Sequence, residues 1–355
     1  FGVLADARQA ALRIAFLAGG GFLLVPPVQL WAETANLCVV HCNYAVSYGI
    51  LSLTAIHVSY LSFSNIYEML FEFDGDMSTK LQWSLTALLW WQFSCWSVNL
   101  TAHRYFAHRC FATSRLFQVV LSFLGVLAGQ RGCLWWASIH RRHHQLCERE
   151  GDPHSPKLFG LPYAHMGWLL DRRHFGIHLD HCRDFWEAQP EVLLADVFAQ
   201  LLYFRWTGLV ARTVGVPLSV LLLGHSFSLH WEFFINSLCH VSESSSETAW
   251  QRLRYLLMGG GDGAAEEGGR PRGEAAACRD GRDACVGLDL WWVGVLNAGE
   301  GFHAEHHRNP RCARHAHGAW RHADPVYQTV RLFEALGLVW DVCHPRGDDA
   351  GGKAE

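Results

Sequence analysis

The residues most able to do chemistry in this chain are its histidines. There are 22, and they gather in four groups. His103-Arg-Tyr-Phe-Ala-His108 is the first, and His140-Arg-Arg-His143-His144 the second. Asn236-Ser-Leu-Cys-His240 is the third, and His303-Ala-Glu-His306-His307 the fourth. On an α-helix, positions i, i+3 and i+4 share one face, so each His-x-x-His-His run projects its three rings together. Asn236 and His240 stand in the same relation. The five-residue step of the first group turns His108 about 140° from His103 on a helix of 3.6 residues per turn. That suits one ring on a helix's last turn and the other just past its end.

Nine imidazoles are too many for one ion, whereas two ions with four or five nitrogens each would use them all. Imidazole suits iron, copper, zinc and nickel. Zinc sites are usually tetrahedral with fewer ligands, so a metal that activates O₂ is the better reading, with iron the first choice. Asn236 is a weak ligand and better suited to holding a metal-bound water. Any one group alone would read as a surface or capping cluster; the four together at the ends of apolar segments argue for metal. The remaining histidines carry no such pattern. His41, His57, His225 and His230 read as hydrogen-bonded core residues, and His315, His317 and His322 as surface residues.

The elements that must hold these groups are apolar helices. Half of the 355 residues are hydrophobic and 17% are charged, against about 25% charged in a soluble domain. A membrane is the natural partner. The net charge of −4 leaves no basic surplus for nucleic acid. Twelve cysteines occur singly with no Cys-x-x-Cys pair, which fits reduced thiols. A bilayer span needs roughly 20 apolar residues; residues 37–63 and 81–102 qualify. Residues 10–30 read as a surface or entry segment. Residues 116–129 are too short to span, and a hairpin of two spans is expected over 192–239, with Arg205 and Arg212 near an interface. Residues 242–282, rich in Gly, Glu, Arg and Ser, read as a flexible solvated insertion. Residues 326–342 read as an amphipathic helix and 343–355 as a disordered tail. The chain opens on Phe1 rather than Met, so residues 1–30 are expected to be an incomplete N-terminal segment before a main domain at 31–342.

The groups, in this order and at these separations, resemble the membrane fatty-acyl desaturases of the stearoyl-CoA Δ9 type. The resemblance covers about residues 31–342. It extends to Trp136-Ala-Ser-Ile-His140, Gly151-Asp-Pro-His-Ser-Pro156, His165-Met-Gly-Trp-Leu-Leu170, Gly299-Glu-Gly-Phe-His303 and Ala335-Leu-Gly-Leu-Val-Trp-Asp341. It implies an all-α membrane protein: about four transmembrane helices under a cytosolic helical cap that holds a di-metal site. It implies metal ligands at His103, His108, His140, His143, His144, His240, His303, His306 and His307, a metal-bound water at Asn236, and a basic pair, Arg172-Arg173, near an acyl-CoA headgroup. Two departures stand out: residues 198–236 are short for two full spans, and the 242–282 material has no counterpart.

The activity so implied is O₂-dependent insertion of a cis double bond into a saturated acyl chain. Two iron ions would supply the oxidant and the protein would supply ligation, orientation and exclusion of water. The chain shows no flavin, nucleotide or cytochrome domain, so cytochrome b5, or ferredoxin in a plastid, is the expected electron donor. An endoplasmic reticulum membrane is the expected location, with a plastid membrane as the alternative. The rivals are a related di-iron hydroxylase, an acyl-lipid or sphingolipid desaturase, a catalytically inactive relative, and a non-enzymatic membrane haem- or metal-binding protein.

Overall fold

The computed structural model describes residues 76–174, 176–186, 190–241 and 287–345. Residues 37–63, the 242–282 insertion, the segment over 1–30 and most of the tail lie outside them. The described chain is mostly helical. Helices of six residues or more are numbered α1 (Met77–Val98), α2 (Arg115–Val126), α3 (Cys133–Leu146), α4 (Pro190–Val197), α5 (Ala199–Val214), α6 (Leu218–Ser237), α7 (Trp291–Leu296), α8 (His303–Arg308) and α9 (Pro325–Ala335). The described strands, β1 (Ala112–Thr113) and β2 (Val339–Trp340), pair antiparallel and tie the end of the first histidine group to the C-terminal region.

α1 begins where Asp76 accepts a hydrogen bond from Thr79 N at 2.7 Å, leaving one fewer orphan donor at the N-terminus. It packs chiefly against α6. Trp91 stacks on Trp231 with centroids 5.6 Å apart. Gly224 lets the two backbones meet: a Cβ there would lie 2.3 Å from Ala87 O. Past Val98 the winding changes. Asn99–Ala107 is π-helical and wholly buried.

α3, which carries His140, His143 and His144, has no cap of its own. Its N-terminus is closed from α4, where the Asp196 carboxylate accepts from Leu134 N at 2.9 Å and Trp135 N at 2.7 Å. Gly132 makes room, since any Cβ would collide with that carboxylate at 2.1 Å. An acid that reads in sequence as a break in an apolar run is therefore a buried helix cap. α9 is capped by Asp324, which accepts from Tyr327 N at 2.9 Å, with Pro325 in the first turn. The amphipathic helix expected over 326–342 stops earlier, at Ala335, and the chain then turns into β2.

The membrane expectation is met in part. Among the described residues one helix, Leu218–His240, is long and apolar enough to cross a membrane. Glu191–Val197 and Leu202–Val214 make a second only as a broken span bent by 72°. The hairpin expected over 192–239 thus has one straight arm and one kinked arm. α2 has 12 residues, about 18 Å, too short for a core of about 30 Å, as expected. α1 has the length, but polar residues from Ser78 to Gln82 fill its first turns and dilute its apolar character. Four transmembrane helices are not reached here. Arg205 and Arg212 are exposed, as their charge requires.

Seven of the described cysteines are free thiols, in keeping with the sequence reading, whereas Cys147 is disulfide-bonded.

Replacing Asp196 by Ala leaves two buried N–H groups at the start of α3 without acceptors. The expected cost is about 1–3 kcal/mol, read as a lower thermal midpoint of the purified protein in detergent, with Asp196→Asn losing less.

Candidate metal centre

The four histidine groups converge at the end shared by α1 and α6, where the helices give way to α3 and α8. Of the nine rings, eight are no more than 9% exposed, and His144 is half-buried. They fall into two sets. In the first, ring Nε2 atoms form a chain: His108 to His140 at 2.8 Å, His140 to His144 at 3.0 Å, His144 to His306 at 3.0 Å and His306 to His103 at 3.2 Å. In the second, His303 Nε2 lies 2.9 Å from both His240 Nε2 and His307 Nε2, and the His143 ring stands against His240 with centroids 4.7 Å apart.

The sharing is not one motif per set. On α3 the i, i+4 pair His140 and His144 serves the first set, while His143 faces the second. α8 mirrors this: His303 and His307 serve the second set and His306 crosses to the first. Each His-x-x-His-His run therefore spans both sets, and the centre divides five to four.

The first motif shows why the α-helical expectation for His108 fails. His108 N donates to His103 O at 3.1 Å, a five-residue closure. The π-helical winding takes more residues per turn, so His103 and His108 come round to one side with ring centroids 4.9 Å apart. Arg141, inside the second motif, holds that end of the segment. Its Nε donates to Ala107 O and its Nη2 to Phe106 O, both at 2.7 Å, and Asp184 pairs with the same guanidinium.

These residues fit metal by their own chemistry. An imidazole nitrogen has one in-plane site, either a proton or a lone pair. His140, His144, His306 and His303 each present one Nε2 to two other nitrogens at hydrogen-bond distance, which protons alone cannot satisfy. A cation about 2.1 Å from each of two nitrogens at right angles would hold them about 3.0 Å apart. Burial, with the neighbouring rings, pushes His108, His140, His144, His303, His306 and His307 well below the usual histidine range, leaving them neutral with lone pairs available. Several groups of these ligand atoms lie within 4.8 Å of one another. One such group adds Cys147 to His143 and His240, but a disulfide sulfur is no thiolate ligand.

Carboxylates stand behind both sets. His143 Nδ1 donates to Asp152 Oδ1 at 2.9 Å, which fixes that ring's tautomer and leaves its Nε2 bare, and His103 Nδ1 lies 2.7 Å from Glu300 Oε2 in a close ion-pair contact. Asp152 is itself held by Glu148 N and His154 N, and the His154 ring stacks on His143 at 4.3 Å. Glu300 is paired with Arg104, wholly buried, whose Nη1 lies 3.0 Å from Oε1 and whose Nη2 donates to both oxygens of Asp324 at 3.0 and 3.1 Å. Burial would raise the Glu300 pKa, but its histidine and arginine partners hold it well below the usual carboxylate range. Trp136 closes one side, packing on His103 and His140 with centroids 5.3 and 4.7 Å away.

Asn236 lies on α6 one turn before His240 and is half-buried. Arg172 and Arg173 occupy an exposed turn, with Arg173 paired to Asp171 at 2.6 Å. The core reading of His225 and His230 is met in part: His225 is buried with its Nδ1 unpaired among the described residues, and His230 is half-buried and meets His165 at 3.1 Å. His317 and His322 are exposed as expected, but His315 is not: it is fully buried beside Glu300. Sequence reasoning gave no role to Arg104, Arg141, Asp152, Asp196, Glu300, His315 or Asp324. Arg104, Arg141, Asp152 and Glu300 at least sit in stretches that carry the family resemblance; Asp196, His315 and Asp324 carry no signal by type or spacing.

A mostly helical chain with a buried histidine cluster able to hold metal is thus the class that fold and site define. Comparison with known proteins narrows it. No family model matches the chain. A probable chloroplastic lipid desaturase of Arabidopsis thaliana is 28% identical over 72% of this chain and 62% of its own length. A delta-9 desaturase-like protein of the same plant is 24% identical over 86% of this chain and 88% of its own. An acyl-CoA 5-desaturase of Anemone leveillei is 26% identical over 70% and 67%. The relatives are desaturases of lipid or acyl-CoA substrates, and their likeness supports fatty-acid desaturation chemistry.

Asp152→Asn is expected to weaken metal binding at the His143 set about 10–100-fold, measured by competition with a chelator. Arg104→Met leaves Glu300 and Asp324 buried without a counter-charge. It should cost about 3–5 kcal/mol, visible as a large fall in folded yield and thermal midpoint.

Proposed function

We propose that this chain is an O₂-dependent fatty-acyl desaturase of the stearoyl-CoA type, placing a cis double bond, at Δ9, in a saturated acyl chain carried by CoA. The observation that carries this is the convergence of nine buried imidazoles in two sets, each backed by a carboxylate. Two iron ions held by His103, His108, His140, His144 and His306, and by His143, His240, His303 and His307, would supply the O₂-activating oxidation that an unactivated methylene requires. Asn236, a turn from His240, would hold a water at the second ion.

The protein's share is ligation and exclusion of water. Asp152 keeps the proton of His143 on Nδ1, so Nε2 is presented bare, and Glu300 lies against His103 Nδ1. Arg104 keeps Glu300 ionised, and Arg141 fixes the π-helical turn that brings His108 beside His103. Trp136 and the buried faces of α1 and α6 keep solvent away. Exposed Leu81, Leu85, Leu88 and Leu89 form one stripe on α1, and exposed Phe204, Trp206 and Leu209 lie on α5. Such surfaces support placement in a lipid bilayer, and we place the chain as a multi-pass protein of the endoplasmic reticulum. Arg172 and Arg173, exposed near the polar cap, would meet the headgroup of acyl-CoA. Electrons would come from cytochrome b5. A second reading, an acyl-lipid desaturase in a plastid, is favoured by the relative named as a chloroplastic lipid desaturase.

Expression in a yeast lacking its own Δ9 desaturase tests this directly. New monounsaturated acids are expected, absent with His143→Ala, and their double-bond positions give the regiochemistry. Membrane-inserted protein that yields hydroxylated acids, or none, would contradict the proposal.

A further inference from the structure

His315 lies in the stretch between α8 and α9 and carries none of the spacing that marks the nine. Yet it is fully buried, and its Nδ1 meets Glu300 Oε2 at 3.1 Å, the same oxygen that lies 2.7 Å from His103 Nδ1. Arg104 holds the other carboxylate oxygen. The His315 backbone N–H donates to Asp324 Oδ2 at 2.9 Å, so the residue is anchored to the carboxylate that also pairs with Arg104. Its ring packs against His306 and His103, with centroids 4.5 and 5.3 Å away.

We propose that His315 is a positioning residue for one of the two metal ions, the one held by the five-histidine set. His315 Nδ1 is hydrogen-bonded to Glu300 Oε2, an oxygen that also lies 2.7 Å from His103 Nδ1, while Arg104 forms an ion pair with Oε1. His315 from one segment, and the adjacent His103 and Arg104 from another, bracket Glu300 and limit its swing, so the His103 ring has one seat. His315 also supports His306, the ring that crosses from α8 to the same set. Its ring contacts are with His103 and His306, both of that set, so its influence is confined to one ion. His103, Glu300 and His315 could also be read as a small cation site of their own, since their ligand atoms lie within 4.8 Å. Arg104 argues against it: the guanidinium already neutralises Glu300, and a further cation would lie beside a fixed positive charge.

The inference rests on the metal reading of the centre and is tested by metal content rather than by desaturation. Wild-type, His315→Asn and His315→Leu proteins are purified in detergent from iron-supplemented cells, and bound iron is followed against increasing chelator. Asn keeps an N–H donor near the Nδ1 position and Leu does not. H315L is expected to release one of two ions at about 10–100-fold lower chelator, with the second unchanged, and H315N to restore wild-type retention. If H315L does not accumulate in membranes, H315Q, whose amide falls nearer the Nε2 position, takes its place with the same expectation. Equal retention in all variants overturns the proposal, as does equal loss in H315N and H315L. A third ion in the wild type that vanishes in H315N assigns His315 as a ligand and overturns it too. A wild-type chain that takes up no metal overturns the centre itself, an outcome distinct from the others.

Discussion

The centre depends on a conflict that protons cannot resolve. Imidazole nitrogens whose lone pairs point at one another from 2.8 to 3.2 Å, in a site closed to water, repel unless something positive lies between them. Two of them can share a proton, but His140, His144, His306 and His303 each face two partners with one in-plane site. The fold keeps them there, and the surrounding structure is arranged to hold neutral rings against their own preference.

That arrangement is built in layers. The innermost rings come from four separate segments, and two of these are fixed by devices the sequence hides. π-helical winding turns His103 and His108 to one side. The Asp196 cap sets the start of α3, and Arg141 locks α3 to the end of the first motif. Outside the rings, Asp152 chooses the His143 tautomer and Glu300 lies against His103. Outside those, Arg104 and Asp324 form a buried charge network whose members would each be costly alone. Because Asp324 also caps α9, the C-terminal helix is tied to the same network.

Much of the site was legible in the sequence, and the reason is periodicity. Helical spacing brings His140, His143 and His144, and His303, His306 and His307, to one side of their helices, and the four groups do meet. What periodicity could not give is the division of rings between the two sets. On α3 the crossing ring is His143, and on α8 it is His306, a matter of helix orientation that no local pattern encodes. The 140° expected between His103 and His108 assumed an α-helix, and the π-helical segment removes it. His315 read as surface because an isolated histidine carries no pattern; a loop returns it to the core. Asp196 read as an interruption because a single acid in an apolar run looks misplaced until the N-terminus it caps comes into view. The span count is met only in part for a simpler reason: among the described residues only Leu218–His240 combines length with apolar composition in one straight helix, and residues 37–63 lie outside them.

The most direct test of the central claim is the metal content of the wild-type protein. Purified in mild detergent from cells grown with ample iron, it should carry two irons per chain with no Soret band in its visible spectrum. A chain that is folded and free of metal, or one that shows a Soret band with a single haem iron, would contradict the account.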